Sequence, residues 1–212
     1  SLGYSSVGEF STRYAEPILA VDALLGVKYA IAEQAPAGYI ATNTTQIGTA
    51  SAVYENPYAL NVGIAASKDI MNSELNGKNP FEKQNDLYGK ILGRNVELYT
   101  KVEATNTEDN PGAKQWNVTV PAGSIGYLYI NKDASAGSYW PVALTIDERV
   151  INNEAWRFDN NIRQIADASD SPSSHTITIG AAEGYTDIPQ DDEPVFYALN
   201  LDTFEQIIDE LK

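Results

Sequence analysis

Cysteine is absent from these 212 residues, and histidine and methionine occur once each. No cysteine means no disulfide framework, no thiol catalysis and no Cys-based zinc site, and a lone histidine adds little toward a zinc centre. Positive charge is scarce as well: 14 Lys and Arg stand against 29 Asp and Glu, for a net charge of −15. Such a surface repels phosphate backbones and anionic headgroups, which excludes nucleic acid and peripheral membrane docking as expected partners. Apolar runs are short, and none approaches the ~20 residues a membrane-crossing helix needs. No signal-peptide pattern opens the chain. Neither glycine pattern for binding phosphates, the dinucleotide fingerprint or the P-loop, is present.

What is there fits a packed α+β chain. Hydrophobic residues make up 43% and aromatics 10%, the composition of a folded domain rather than a disordered one. A chain this long buries roughly 70% of the surface its unfolded form exposes. Residues 15–25 carry helical periodicity behind Pro17 and stop at Gly26. Residues 27–32 read as a strand, and residues 52–54 and 60–65 as two more, separated by Asn56-Pro57. Residues 79–93 predict a helix with Asn79 as N-cap, Pro80 in first position, Glu82 three residues after the cap and Gly93 at its end. Beyond Arg94 the pattern becomes short β-rich runs over 96–104, 116–120, 125–131, 139–146, 161–166 and 175–179, punctuated by turn residues. A strand over 195–199 and a short amphipathic helix over 202–211 close the chain. The expected architecture is a small N-terminal α/β region (1–93), then an antiparallel, jelly-roll-like β-sandwich with a C-terminal strand and helix (94–212).

Three strings stand out in order: LLGVKYAI at 24–31, YENPYALNVG at 54–63 and NPFEKQNDLYGKILG at 79–93. Together they resemble the extracytoplasmic part of YfhO-like bacterial membrane proteins. Asn61 stands where the family often has proline. The β half matches more loosely. Ser138-Tyr139-Trp140 and the run Thr145, Ile146, Asp147 lie where members carry a strand ending in an Asp-Gly turn. Glu148 replaces that glycine, which counts against a tight glycine-dependent turn. The run from Ser174 and His175 to Ile179 resembles a further family strand. The resemblance implies a polytopic glycosyltransferase that uses a lipid-linked (polyprenyl-phosphate) sugar at the outer face of the membrane, with lipoteichoic acid or another cell-wall glycan as acceptor, and the absence of cysteine fits a Gram-positive extracytoplasmic protein. It places the catalytic acids near the parent's membrane helices, so this segment is expected to be an accessory extracytoplasmic domain without an active site of its own. The parent's transmembrane helices would be its partners.

Few residues point to chemistry on their own. Tyr139, Trp140 and Trp156 either fill the sandwich core or form an aromatic platform for a sugar ring, the feature an independent carbohydrate-binding module would show. Asp187, Asp191, Asp192 and Glu193 form an acidic loop; such carboxylates can converge on Ca²⁺, though an EF-hand pattern is missing. No other cofactor is implied. His175 is expected to be structural, because Ser173 and Ser174 lie too near it in sequence to serve as its nucleophile in a Ser-His-Asp triad.

Overall fold

The computed structural model describes residues 2–8, 11–14, 16–43, 51–72, 74–130, 142–152, 161–188 and 193–212. The chain begins with a hairpin of β1 (Ser5–Gly8) and β2 (Ser11–Arg13), then a short helix α1 (Leu19–Leu24). Next comes a small antiparallel sheet of β3 (Tyr29–Ala32), β4 (Ile40–Ala41) and β5 (Ala52–Glu55), in the order β3-β5-β4. A 3-10 turn (Lys68–Asn72) leads to α2 (Pro80–Leu92). The expected cap is present: Asn79 Oδ1 accepts the Phe81 and Glu82 N–H groups at 3.0 Å each. Gly93, at φ 68°, ends the helix in the left-handed conformation that glycine adopts most cheaply.

The β half follows. Its strands are β6 (Tyr99–Val102), β7 (Ala104–Asn110), β8 (Ala113–Val120), β9 (Ser124–Ile130), β10 (Val142–Ile146), β11 (Arg149–Asn152), β12 (Asn161–Ala166), β13 (Ser173–Ala181) and β14 (Pro194–Asn200). They form two antiparallel sheets, ordered β11-β10-β13-β8-β7 and β12-β9-β14-β6. The chain passes repeatedly from one sheet to the other, as an antiparallel sandwich requires. Helix α3 (Leu201–Leu211) ends the chain, capped by Asn200 through the Thr203 N–H.

The sandwich makes two layers of a three-layer stack. Between the sheets lie Trp116, Val118, Leu128, Ile130, Leu144, Ile177 and Phe196. The opposite face of the four-stranded sheet presents Ile125, Tyr127, Tyr129, Tyr99 and Tyr197 to α1, α2 and α3, which supply Leu19, Phe81, Tyr88, Phe204 and Ile208. Every residue of β9 is buried as a result, so its sequence SIGYLYI lacks the apolar–polar alternation of a one-sided strand. Phe81 is the hub of the core between this sheet and the helices. Its ring lies 4.9 Å from that of Tyr99 and 4.8 Å from that of Tyr197. The apolar core that holds it therefore draws on residues both before and after Gly93.

Several local expectations failed. Residues 60–65 are not a strand: Leu60 N–H bonds the Ala23 carbonyl at 2.9 Å, no described strand pairs with the segment, and Val62 stands in solvent. The helix expected over 15–25 begins only at Leu19. Strand β7 was not foreseen, because it is an edge strand whose polar residues are nearly all exposed and show no alternation. The tight turn that Glu148 counted against forms as well, without glycine. Asp147 (φ 49°) and Glu148 (φ 69°) connect Ile146 to its partner Arg149 in the two-residue geometry that needs φ > 0 twice.

Candidate functional site

The three strings that stand out in the sequence prove to be clamps. Asn56, almost fully buried, donates to the Val27 carbonyl at 3.1 Å and accepts the Tyr58 N–H at 3.0 Å. Its own N–H bonds the Lys28 carbonyl at 2.8 Å. The second string is thereby fastened to the first. In the third, Glu82 accepts from the Lys78 N–H at 2.7 Å, the Asn79 amide at 3.0 Å and the Tyr197 hydroxyl at 3.0 Å. These bonds, the backbone one first, hold its carboxyl below the usual range against a smaller burial effect. Tyr88 donates to the Ala20 carbonyl at 2.7 Å, returning the third string to α1. Buried polar groups are generally paired, and these side chains meet that need while joining the three strings.

Among the described residues Asp22 is the most buried acid, with no exposed surface. Three phenols donate to it: Tyr4 at 2.5 Å to Oδ1, and Tyr14 and Tyr39 at 2.7 Å each to Oδ2. Burial raises its pKa, and the three phenol bonds offset only part of that. The phenols themselves are pushed upward, by burial first and then by the carboxylate. The hub ties the N-terminal segment to α1 and to the loop before β4. Composition could not reveal it, because nothing in the spacing of Tyr4, Tyr14 and Tyr39 marks a common partner.

A groove of about 340 Å³ runs beside the end of α2, lined by Asp69, Asn85, Asp86, Lys90, Arg94 and Asn95 among others. Asp86, Lys90 and Arg94 are paired within the chain. Lys90 bonds Asp86 at 2.6 Å and the Glu74 carbonyl at 2.6 Å; Arg94 pairs with Glu210 at 2.6 Å. Burial would raise the Asp86 carboxyl, but the Lys90 and Asn76 bonds outweigh it and hold it low.

At one rim of the sandwich the structure joins residues that the sequence reading kept apart. Asp147 Oδ2 lies 2.5 Å from His175 Nδ1, and His175 Nε2 lies 2.8 Å from Ser173 Oγ. Asp147 Oδ1 accepts the Thr176 N–H at 2.8 Å. Ser173 and His175 sit two apart on β13, on the face that continues inward as Ile177 and Ile179. The signal was available as Ser-x-His on one strand, but the third member comes from a turn 28 residues away in sequence.

Of the candidates named from sequence, Tyr139, Trp140, Trp156, Asp191 and Asp192 lie outside the described residues. Asp187 is exposed and accepts from the Thr186 hydroxyl at 3.1 Å; Glu193 is exposed. Among the described residues, no three His, Asp or Glu side chains gather to hold a metal ion. Among the same residues, no helix is long and apolar enough to cross a membrane.

The family model described as bacterial membrane protein YfhO matches residues 1–212, the whole chain. The chain belongs to the YfhO family. Among solved structures, this YfhO chain is similar to a family 35 carbohydrate-binding module from Clostridium thermocellum. The identity is 12% and the TM-score 0.28, over 47% of this chain and 87% of that one. It is also similar to an acetyl xylan esterase, Est2A, from the rumen bacterium Butyrivibrio proteoclasticus. There the identity is 15% and the TM-score 0.25, over 49% of this chain and 28% of that one. No curated protein matches the YfhO chain by sequence.

Proposed function

We propose that residues 1–212 form the extracytoplasmic domain of a polytopic YfhO membrane protein that transfers sugar from a lipid-linked donor. The domain positions the acceptor, a cell-wall glycan or lipoteichoic acid, and leaves the sugar transfer to the membrane-embedded part of the parent. The observation that carries this reading is a whole-chain match to a membrane-protein family in which no described helix crosses a bilayer. A strongly acidic surface that repels anionic headgroups agrees with a domain held beside the membrane by covalent connection rather than by docking.

Two measurements test it. Val62 is exposed and the chain has no native cysteine, so Val62→Cys in the full-length protein gives a reporter within this chain. Labelling of that site by a membrane-impermeant maleimide on intact cells is expected, and protection until lysis overturns the topology. Titration of the chain with lipoteichoic acid while following tryptophan fluorescence tests the acceptor role. An unchanged spectrum, together with no shift in thermal unfolding, overturns it. Glycan binding by a protein whose gene encodes no membrane spans would make the chain an independent carbohydrate-binding module instead.

A further inference from the structure

We propose that Ser173, His175 and Asp147 form a hydrolytic site for small acyl esters at the rim of the sandwich, a chemistry separate from glycosyl transfer. The three parts of the relay are in place. Asp147 holds His175 through Nδ1 at 2.5 Å, which leaves Nε2 as the acceptor facing Ser173 Oγ at 2.8 Å. The orienting carboxylate is fixed by a second bond, from the Thr176 N–H to Oδ1 at 2.8 Å. It is also fixed by the backbone, since the Asp147 N–H donates to the Thr176 carbonyl at 3.0 Å. Anchoring the turn needs only these Thr176 bonds. The alignment of His175 on Ser173 is additional to them.

The surroundings allow attack. The His175 side chain is 14% exposed and that of Asp147 48% exposed, and Ser173 is half-buried, so the relay sits at a surface rather than in the core. Strand β13 pairs with β10 only from Ile177 onward. Strand alternation turns the Ser174 N–H to the same side as the Thr176 N–H, beyond the last rung of that ladder. The N–H that follows a nucleophilic serine is a recurrent donor to a developing oxyanion, and Ser174 N–H is assigned that role.

The chemistry balances without a cofactor. Ser173 Oγ forms a bond to the ester carbonyl carbon as its proton passes to His175 Nε2. The ester C–O bond then breaks, and the alcohol leaves with that proton. Water repeats the sequence on the acyl-serine, and the acid departs.

A fluorophosphonate probe and p-nitrophenyl acetate test the site on the full chain. Expected are a mass adduct on the peptide bearing Ser173 and ester hydrolysis that falls by about 100-fold or more in Ser173→Ala. Ser173→Ala removes one half-buried hydroxyl, and unchanged circular dichroism would show that it still folds. Asp147→Asn, which retains an acceptor for the Thr176 N–H, is expected to lower the rate and slow labelling without unfolding the chain. No adduct on Ser173 overturns the proposal, and so does hydrolysis equal in the wild type and Ser173→Ala. Either result would leave the topology and the glycan titration untouched.

Discussion

The Asn85 side chain pairs with the backbone of Tyr99 on both sides: its amide donates to the Tyr99 carbonyl at 2.8 Å and its oxygen accepts the Tyr99 N–H at 2.8 Å. One residue of α2 thus replaces a neighbouring strand for β6, at a residue that is 1% exposed. Asn85→Ala would orphan both groups. The expected loss is about 2–4 kcal/mol of folding stability, read from the urea midpoint at constant slope. Asn85→Asp keeps the acceptor alone and is expected to fall between. A midpoint for Asn85→Ala within error of the wild type contradicts the clamp.

Phe81 joins α2 to the four-stranded sheet through Tyr99 and Tyr197, and it has no exposed surface. Phe81→Ala is expected to cost about 3–5 kcal/mol. By contrast Glu210→Gln, which breaks the pair with Arg94, is expected to change stability by less than about 0.5 kcal/mol, because both side chains are half exposed. Thermal unfolding of the two variants compares them directly.

Asp22 carries a pH dependence of known sign. Its pKa in the fold lies above the ordinary value of 3.8, so the folded state holds its proton longer than the unfolded chain. The stability it contributes is present below pH 3.8 and is lost as pH rises through the folded pKa. Asp22→Asn cannot ionise. Relative to wild type, the variant is therefore expected to gain stability as pH rises from about 3.8 upward. Denaturation of both proteins across that range checks it, and a difference that stays flat or moves the other way contradicts the assignment.

Glu82 slopes oppositely. Its carboxyl lies below the ordinary 4.5, chiefly through the Lys78 N–H, so the stability it contributes is present above that value and disappears as pH falls through the folded pKa. Glu82→Gln is expected to flatten that acid limb in circular dichroism at the helix wavelength. An unchanged limb argues against the capping bonds.

The hairpin turn holds a glutamate in a conformation that favours glycine, Glu148 at φ 69°. Glu148→Gly is expected to stabilise the fold by about 1 kcal/mol, offset in part by the extra freedom of glycine in the unfolded chain. A destabilised variant would show that the left-handed glutamate costs less than this.

The sequence by itself determined the helix over Pro80–Leu92, because cap, first-turn proline and terminal glycine are local signals whose partners lie within a few residues. It also determined the β-rich half, whose β-branched and aromatic runs are separated by turn residues, and the family, legible in the strings at 24–31, 54–63 and 79–93 and matched over residues 1–212. Only the tertiary structure decided that β9 would be covered on both sides, that residues 60–65 would join no described sheet, and that Asp22 would collect three phenols. It alone brought Asp147 to His175 across the sheet. The reason is the same in each case. Periodicity reports whether a segment has a buried side, but the identity of a polar group's partner is set by strand register and chain crossing, and these exist only once the layers have packed.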